Sequence, residues 1–158
     1  MIGKSLIPEF DHECATTRKL LERIPEDKLA WGPHEKSFTL GGLAGHLANV
    51  LEWAPPTMNL ELMDIEPEGI PWKQPSGVTS IADLLDRFDR NCAAARAALA
   101  SAGDEAYLGN WSLAKNGRVV MSMPRIAVIR SFILNHTVHH RGQLSVYLRL
   151  LNVPVPSI

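Results

Sequence analysis

A long apolar stripe near the C-terminus, with two histidines set into it, is the feature that most constrains the fold. The stripe keeps steps of three and four residues, which is the spacing of one face of an α-helix: Ile126, Ile129, Ile133, His136, His140, Leu144, Tyr147 and Leu151. This spacing predicts a continuous helix capped by Ser122, with Pro124 in its first turn and Asn152 after its end. Two imidazoles four residues apart share a helix face and can bind one metal ion.

A third histidine occupies a similar position in an upstream helix. Thr39 is a suitable cap for a helix from about residue 40 to residue 53, which Pro55-Pro56 would end or kink. His46 falls on the inner face of this helix among several small residues: Gly41, Gly42, Ala44, Gly45 and Ala48. So many small residues indicate close approach of another helix or room for a ligand.

A metal shared by His46, His136 and His140 is the sharper of two interpretations of these histidines. A buried polar group without a partner costs about 1–3 kcal/mol, and a common metal ion would satisfy all three rings. The simpler interpretation is that each ring is a hydrogen-bonded core residue. A histidine pair at this spacing, without the intervening glutamate of metalloproteases, is a weak motif.

The chemistry expected of such a site follows from its ligands. Imidazole suits Zn²⁺, Ni²⁺, Fe²⁺ and Mn²⁺, and three protein ligands leave a coordination position open, as in catalytic sites. His139 either replaces one of the ligands or contacts a ligand without binding the metal itself. Asn49 and Gln143, each about one turn after a histidine, either orient ligands or substrate or simply form interhelical hydrogen bonds.

The rest of the chain predicts an all-α fold, namely a four-helix bundle in a single domain spanning residues 1–158. Helical spacing runs from about residue 4 to residue 24, and again between a cap at Ser80 and Gly103. Residues 57–78 form a long crossover loop rich in proline and glycine, unless Met58, Leu60, Leu62 and Met63 first extend the second helix. Asn116-Gly117 between apolar runs predicts a short β-hairpin before the last helix.

Composition excludes several classes of function. The net charge is −1 and no cluster of basic residues is present, so neither nucleic acid nor an anionic membrane surface is an expected partner. No apolar run approaches the roughly 18–20 residues that a membrane span needs, and no signal segment is seen. Cys14 and Cys92 then read as free thiols in the cytoplasm.

The motifs around the histidines resemble those of the DinB family. The likeness covers nearly the whole chain and is carried above all by two segments: Gly45-His46-Leu47-Ala48, and His136 to Leu144 with its His-His-Arg-Gly-Gln core. This is the damage-inducible, YfiT-like group of proposed metal-dependent enzymes, unrelated to the DNA polymerase of the same name. The resemblance implies a helical bundle with a long crossover, usually a homodimer, and a divalent metal, most often nickel or zinc. Carried over by position, the metal ligands are His46, His136 and His140.

Three functions remain open. The first is a metal-dependent hydrolase acting on a small-molecule substrate, because a bound metal such as zinc lowers the pKa of water to about 7. The second, implied by the resemblance, is a thiol S-transferase of the bacillithiol or mycothiol type, in which the metal activates an external low-molecular-weight thiol. The third is a stress-response module without turnover, in which the metal only staples two helices.

Overall fold

The computed structural model describes residues 1–70 and 77–157, which form a mostly helical fold with a small sheet. In chain order the helices are α1 (Ile2–Leu21), α2 (Leu40–Asn49), α3 (Ala54–Asn59), α4 (Ile81–Ser101), α5 (Asp104–Leu108), α6 (Arg125–Val128) and α7 (Asn135–Leu150). Short 3₁₀ turns lie at Glu26–Lys28, Val50–Trp53 and Pro67–Gly69. None of the helices in these residues is both long and apolar enough to cross a bilayer.

The caps of α2 and α4 lie where the sequence predicts them. The Thr39 hydroxyl accepts a hydrogen bond from the Gly42 N–H, and the Ser80 hydroxyl accepts one from the Asp83 N–H. Of the two predicted outcomes at Pro55-Pro56, the helix does not end there, because α2 continues through a 3₁₀ turn into α3. Pro55 and Pro56 occupy the first turn of α3, where proline is tolerated because those N–H groups have no helical partner.

The sheet has three strands, β1 (Leu62–Asp64), β2 (Asn110–Lys115) and β3 (Arg118–Pro124), in the order β1-β2-β3. Strands β2 and β3 are antiparallel, which confirms the predicted hairpin. Asn116 and Gly117 make its turn with φ of +50° and +74°. Strand β1 pairs in parallel with β2 and was not predicted, so the all-α assignment is corrected to a helical fold with a small mixed sheet.

The Asp64 carboxylate connects the end of β1 to the turn between β2 and β3. Its carboxylate accepts hydrogen bonds from the backbone N–H groups of Glu66, Asn116 and Gly117. These bonds, led by the one from Glu66, hold the pKa of Asp64 below its ordinary value. One side chain at the end of β1 thereby closes the β2–β3 turn.

The last helix is not the continuous α-helix that the apolar stripe predicts. A π-helical segment, Ile129–Leu134, separates α6 from α7. Val128 and Ile133, and likewise Ile129 and Leu134, are five residues apart and all buried, as the wider π turn requires. The predicted Ser122 cap is also wrong, because Ser122 lies in β3 and hydrogen-bonds to Ser112 of β2, while Pro124 precedes the first helical turn.

The core lies between the long helices. Helix α4 packs against α1 and α2, and α7 packs against both as well. Large buried side chains fill the space between them, among them Leu6, Phe10, Leu20, Leu43, Leu47, Leu84, Phe88, Leu144 and Leu148. An ion pair between Glu13 of α1 and Arg141 of α7 lies within this packing, with side chains 19% and 11% exposed. Arg141, which a surface position would leave to solvent, thus has a carboxylate partner inside the helical packing.

The crossover between α3 and α4 is more structured than the predicted irregular loop. It contains strand β1, the Pro67–Gly69 turn and an extended approach to Ser80. Arg125 fixes its first part by donating hydrogen bonds to the carbonyl oxygens of Thr57 and Leu60. The predicted loop prolines at positions 71 and 75 lie outside the described residues.

Candidate metal centre

Three imidazole rings from two helices meet inside the helical packing. His46 comes from α2, while His136 and His140 come from the first turns of α7. The ring centroids of His46 lie 5.0 Å from His136 and 4.5 Å from His140, and those of His136 and His140 lie 4.5 Å apart. His140 is buried, and the other two are half-buried. The structure therefore brings together the three histidines that the helix spacing selected.

The Nε2 atoms of the three rings point at one another. His136 Nε2 lies 2.7 Å from His46 Nε2 and 3.0 Å from His140 Nε2. Nitrogens bound to one cation at about 2.0–2.1 Å lie about 2.8–3.4 Å apart for angles of ~90–109°. The observed separations lie at the short end of this range or just below it.

Gln143 decides which nitrogen of His140 carries the proton. The Gln143 side-chain oxygen lies 2.7 Å from His140 Nδ1, and an amide oxygen can only accept a hydrogen bond. His140 Nδ1–H therefore donates to Gln143, which leaves the lone pair of Nε2 directed at the other two rings. Orientation by a partner on the far nitrogen is the usual arrangement of a metal-binding histidine.

Protons alone do not satisfy this arrangement. If His46 Nε2–H donates to His136, the contact between His136 and His140 has no hydrogen and brings two lone pairs face to face. If His136 Nε2 carries the proton instead, one N–H cannot point along both contacts. A cation bound to all three Nε2 atoms resolves the conflict, so the donor set fits a divalent metal.

The protonation states also suit metal binding. Burial, followed by the neighbouring His140 and His136, lowers the pKa of His46 from 6.5 to about 4. Burial is also the main cause that lowers the pKa of His136 and of His140 below the ordinary value. All three rings are therefore neutral near pH 7, which is the form that binds a metal.

Comparison with known proteins identifies the family of this chain. Residues 9–144 match the family model of the DinB superfamily. The chain belongs to the DinB superfamily. A DinB-like protein from Bacillus cereus ATCC 10987 has a similar structure, with a TM-score of 0.74 and 21% identity over 98% of this chain and 96% of that one.

A DinB-like protein of Bacillus subtilis, YjoA, is similar to the same degree, with a TM-score of 0.74 and 18% identity over 97% of this chain and 96% of that one. At these identities the likeness concerns the fold alone. A search of curated proteins gives no significant match.

The other three polar residues that the sequence of this DinB-superfamily chain suggests as supports of the triad have different surroundings. His139 is exposed and touches His140 edge to face, with centroids 4.9 Å apart, but it does not join the cluster of converging nitrogens. The Asn49 Oδ1 atom is buried and has no hydrogen-bond partner among the described residues. Gln143 bonds within its own helix rather than between helices.

Phe38 is a residue near the triad that the histidine spacing does not reveal. Its ring stacks on His46, with centroids 5.6 Å apart and planes 19° apart, and meets His140 edge to face at 6.2 Å. It lies just before the Thr39 cap, in a loop that carries no periodic pattern. No signal in the sequence places this ring beside the histidines.

Proposed function

We propose that this protein binds a divalent metal ion, zinc or nickel in the first place with iron or manganese as alternatives, through His46, His136 and His140, and uses it in catalysis. The convergence of three neutral Nε2 atoms, which no arrangement of protons satisfies, carries this proposal. A bound divalent metal would supply Lewis acidity and lower the pKa of a coordinated water to about 7.

The protein's own residues prepare the site for this role. Gln143 fixes the tautomer and ring orientation of His140, so its Nε2 is ready to bind. Burial keeps the rings neutral, and the three ligands leave room for a substrate atom. Hydrolysis of a small-molecule substrate is the reaction proposed first, since a metal with an open position activates water without help from a protein nucleophile.

Thiol transfer is the second candidate, and the absence of a carboxylate from the histidine cluster, among the described residues, favours it. The cluster of converging donor atoms contains no carboxylate among the described residues, and residues 71–76 include no Asp or Glu. A thiol that loses its proton on binding a metal needs a weaker base than water does. Cys14 and Cys92 lie outside the cluster, so the thiol would be an external low-molecular-weight one.

Other parts of the proposal come from the sequence analysis, and the homodimer comes from the family resemblance alone. We take the four long helices as one bundle in a single domain of residues 1–158, acting in the cytoplasm as a homodimer. A metal-stapled module without turnover remains the rival to both enzymes. It predicts that the metal matters for the stability of the fold and not for any reaction.

The metal content of protein purified without an affinity tag tests the proposal. We expect about one divalent metal per chain by elemental analysis, because the three donors form one site. Protein that contains no metal and takes up neither zinc nor nickel on titration would contradict it.

Two matched substitutions locate the site. His140→Ala should lose the metal and remain folded by circular dichroism, whereas His139→Ala, the exposed neighbour, should retain it. A collapse of thermal stability in His140→Ala, with no hydrolytic substrate or thiol found for the wild type, would favour the module.

A further inference from the structure

Phe38 presents an aromatic face beside the candidate metal centre. Its side chain is 44% exposed although its ring contacts both His46 and His140. The ring thus has one side against the ligands and another in solvent. A ligand on a metal held by His46 and His140 would therefore lie close to this ring.

The surrounding structure holds Phe38 in place. Its carbonyl oxygen accepts a hydrogen bond of 3.2 Å from the Tyr147 hydroxyl. The ring of Tyr147 is in turn packed edge to face against Trp31, with centroids 5.7 Å apart. A Cβ atom at Gly42 would meet Phe38 Cδ1 at 3.6 Å, so Phe38 lies directly over the first turn of α2. Its pose is therefore largely formed before any ligand binds, which lowers the entropic cost of binding.

The charge of the site determines which kind of donor atom a ligand would place on the metal. Three neutral imidazoles do not offset the charge of a divalent cation, and the cluster holds no carboxylate or thiolate within the described residues. The open position consequently favours an anionic donor atom, such as a carboxylate, hydroxamate or thiolate.

We infer that Phe38 is a specificity-determining residue, whose ring binds a flat apolar or aryl group of a ligand that places its anionic end on the metal. This rests on the proposed function, because the anionic end requires the metal. Offset or edge-to-face contact with an aromatic group is favourable, whereas a methyl group in the same place gains little from the ring.

Two hydroxamates test the inference with the cobalt-loaded protein. Benzohydroxamate and acetohydroxamate share the metal-binding group and differ in an aryl against a methyl substituent. The visible absorption of the bound Co²⁺ reports the Kd of each. The ratio of the two Kd values should be about tenfold more in favour of the aryl ligand in the wild type than in Phe38→Ala, with the Kd of acetohydroxamate nearly unchanged.

Two control variants distinguish direct contact between the Phe38 ring and the ligand from a general effect of removing an exposed phenylalanine. Phe132→Ala removes a comparably exposed phenylalanine, 42% exposed, from the π segment and should leave the ratio at the wild-type value. Phe38→Leu keeps apolar bulk without the ring, should lose most of the aryl preference, and replaces Phe38→Ala if that variant fails to load cobalt.

Equal ratios in wild type and the Phe38 variants overturn the inference while the metal site stands. A wild type that loads no cobalt overturns the proposed function as well, so the two failures are distinguishable.

Discussion

The pairing of Gln143 with His140 is the most consequential contact of a single residue in the site. A neutral imidazole has one N–H, and its position decides whether Nε2 offers a lone pair or a proton. Because Gln143 Oε1 accepts from Nδ1, the lone pair faces His136 and His46. The exposed Gln143 side chain thereby fixes the buried His140 in the tautomer that can bind a metal through Nε2.

Replacing Gln143 with Leu should weaken metal binding by about 10–100-fold, the usual effect of removing a partner of a ligating histidine. Competition with a chromophoric chelator measures the affinity. Gln143→Glu keeps an acceptor for Nδ1–H and should bind at least as tightly as the wild type. Equal affinity in Gln143→Leu and wild type would show that His140 needs no such orientation.

Single residues also show where sequence reasoning stops. His136 and His140 could be placed together from sequence alone because a helix fixes the direction of residues four apart. His46 could be placed on an inner face but not opposite them, since that depends on how α2 packs on α7. Phe38 was beyond reach, because the path of residues 25–38 depends on contacts such as Gly41 N–H to Leu29 O.

At the scale of elements, the sequence predicted helix starts and turns correctly where a side chain interacts with backbone only a few residues away. The caps at Thr39 and Ser80 and the Asn116-Gly117 turn are of this kind. Strand β1 was missed because three residues carry too little periodicity and its partner, β2, lies about fifty residues later. The π segment was missed because an apolar stripe with steps of three and four tolerates one extra residue without visible disturbance.

Two glycines in different elements should respond in opposite ways to alanine. Gly142, in α7, has open space around the added Cβ, so Gly142→Ala should stabilise the protein by about 0.5–1 kcal/mol. Gly117 has a φ of +74°, so Gly117→Ala should cost about 1–2 kcal/mol.

Urea unfolding measures both effects, and each kcal/mol corresponds to about 2–4 °C in Tm for a chain of this size. Loss of stability in Gly142→Ala would mean that something outside the described chain packs on that face of α7.

At the scale of the whole molecule, the histidines connect folding to pH. The three histidines are partly or fully buried between α2 and α7, which pack against each other. Protonating them would place positive charge in this packing and destabilise the fold. The unfolded chain has histidines of ordinary pKa, and between pH 6.5 and about 4 it binds more protons at position 46 than the folded chain does. A lower pH then favours unfolding.

The metal-free protein should therefore lose stability as the pH falls from about 6.5 to about 4, by on the order of 2 kcal/mol from His46. Above pH 6.5 this contribution is constant, because the ring is neutral in both states. Urea unfolding at pH 7.5, 5.5 and 4.5 measures the loss, and His46→Gln should show a shallower dependence. Parallel curves for the two proteins would assign the loss to other groups.

The wider turn at Ile129–Leu134 bears on how this chain can be altered. In a regular α-helix each residue is rotated by about 100° from the one before, so the direction of the first side chain determines that of the last. Here the extra residue of the π turn shifts the facing of α7 relative to α6 by about 100° from that of a regular helix. A design that smooths the six residues into ordinary helix by dropping one would swing His136 and His140 by about 100° away from His46. A scaffold that keeps both the hairpin and the histidine triad therefore has to keep the irregular turn between them.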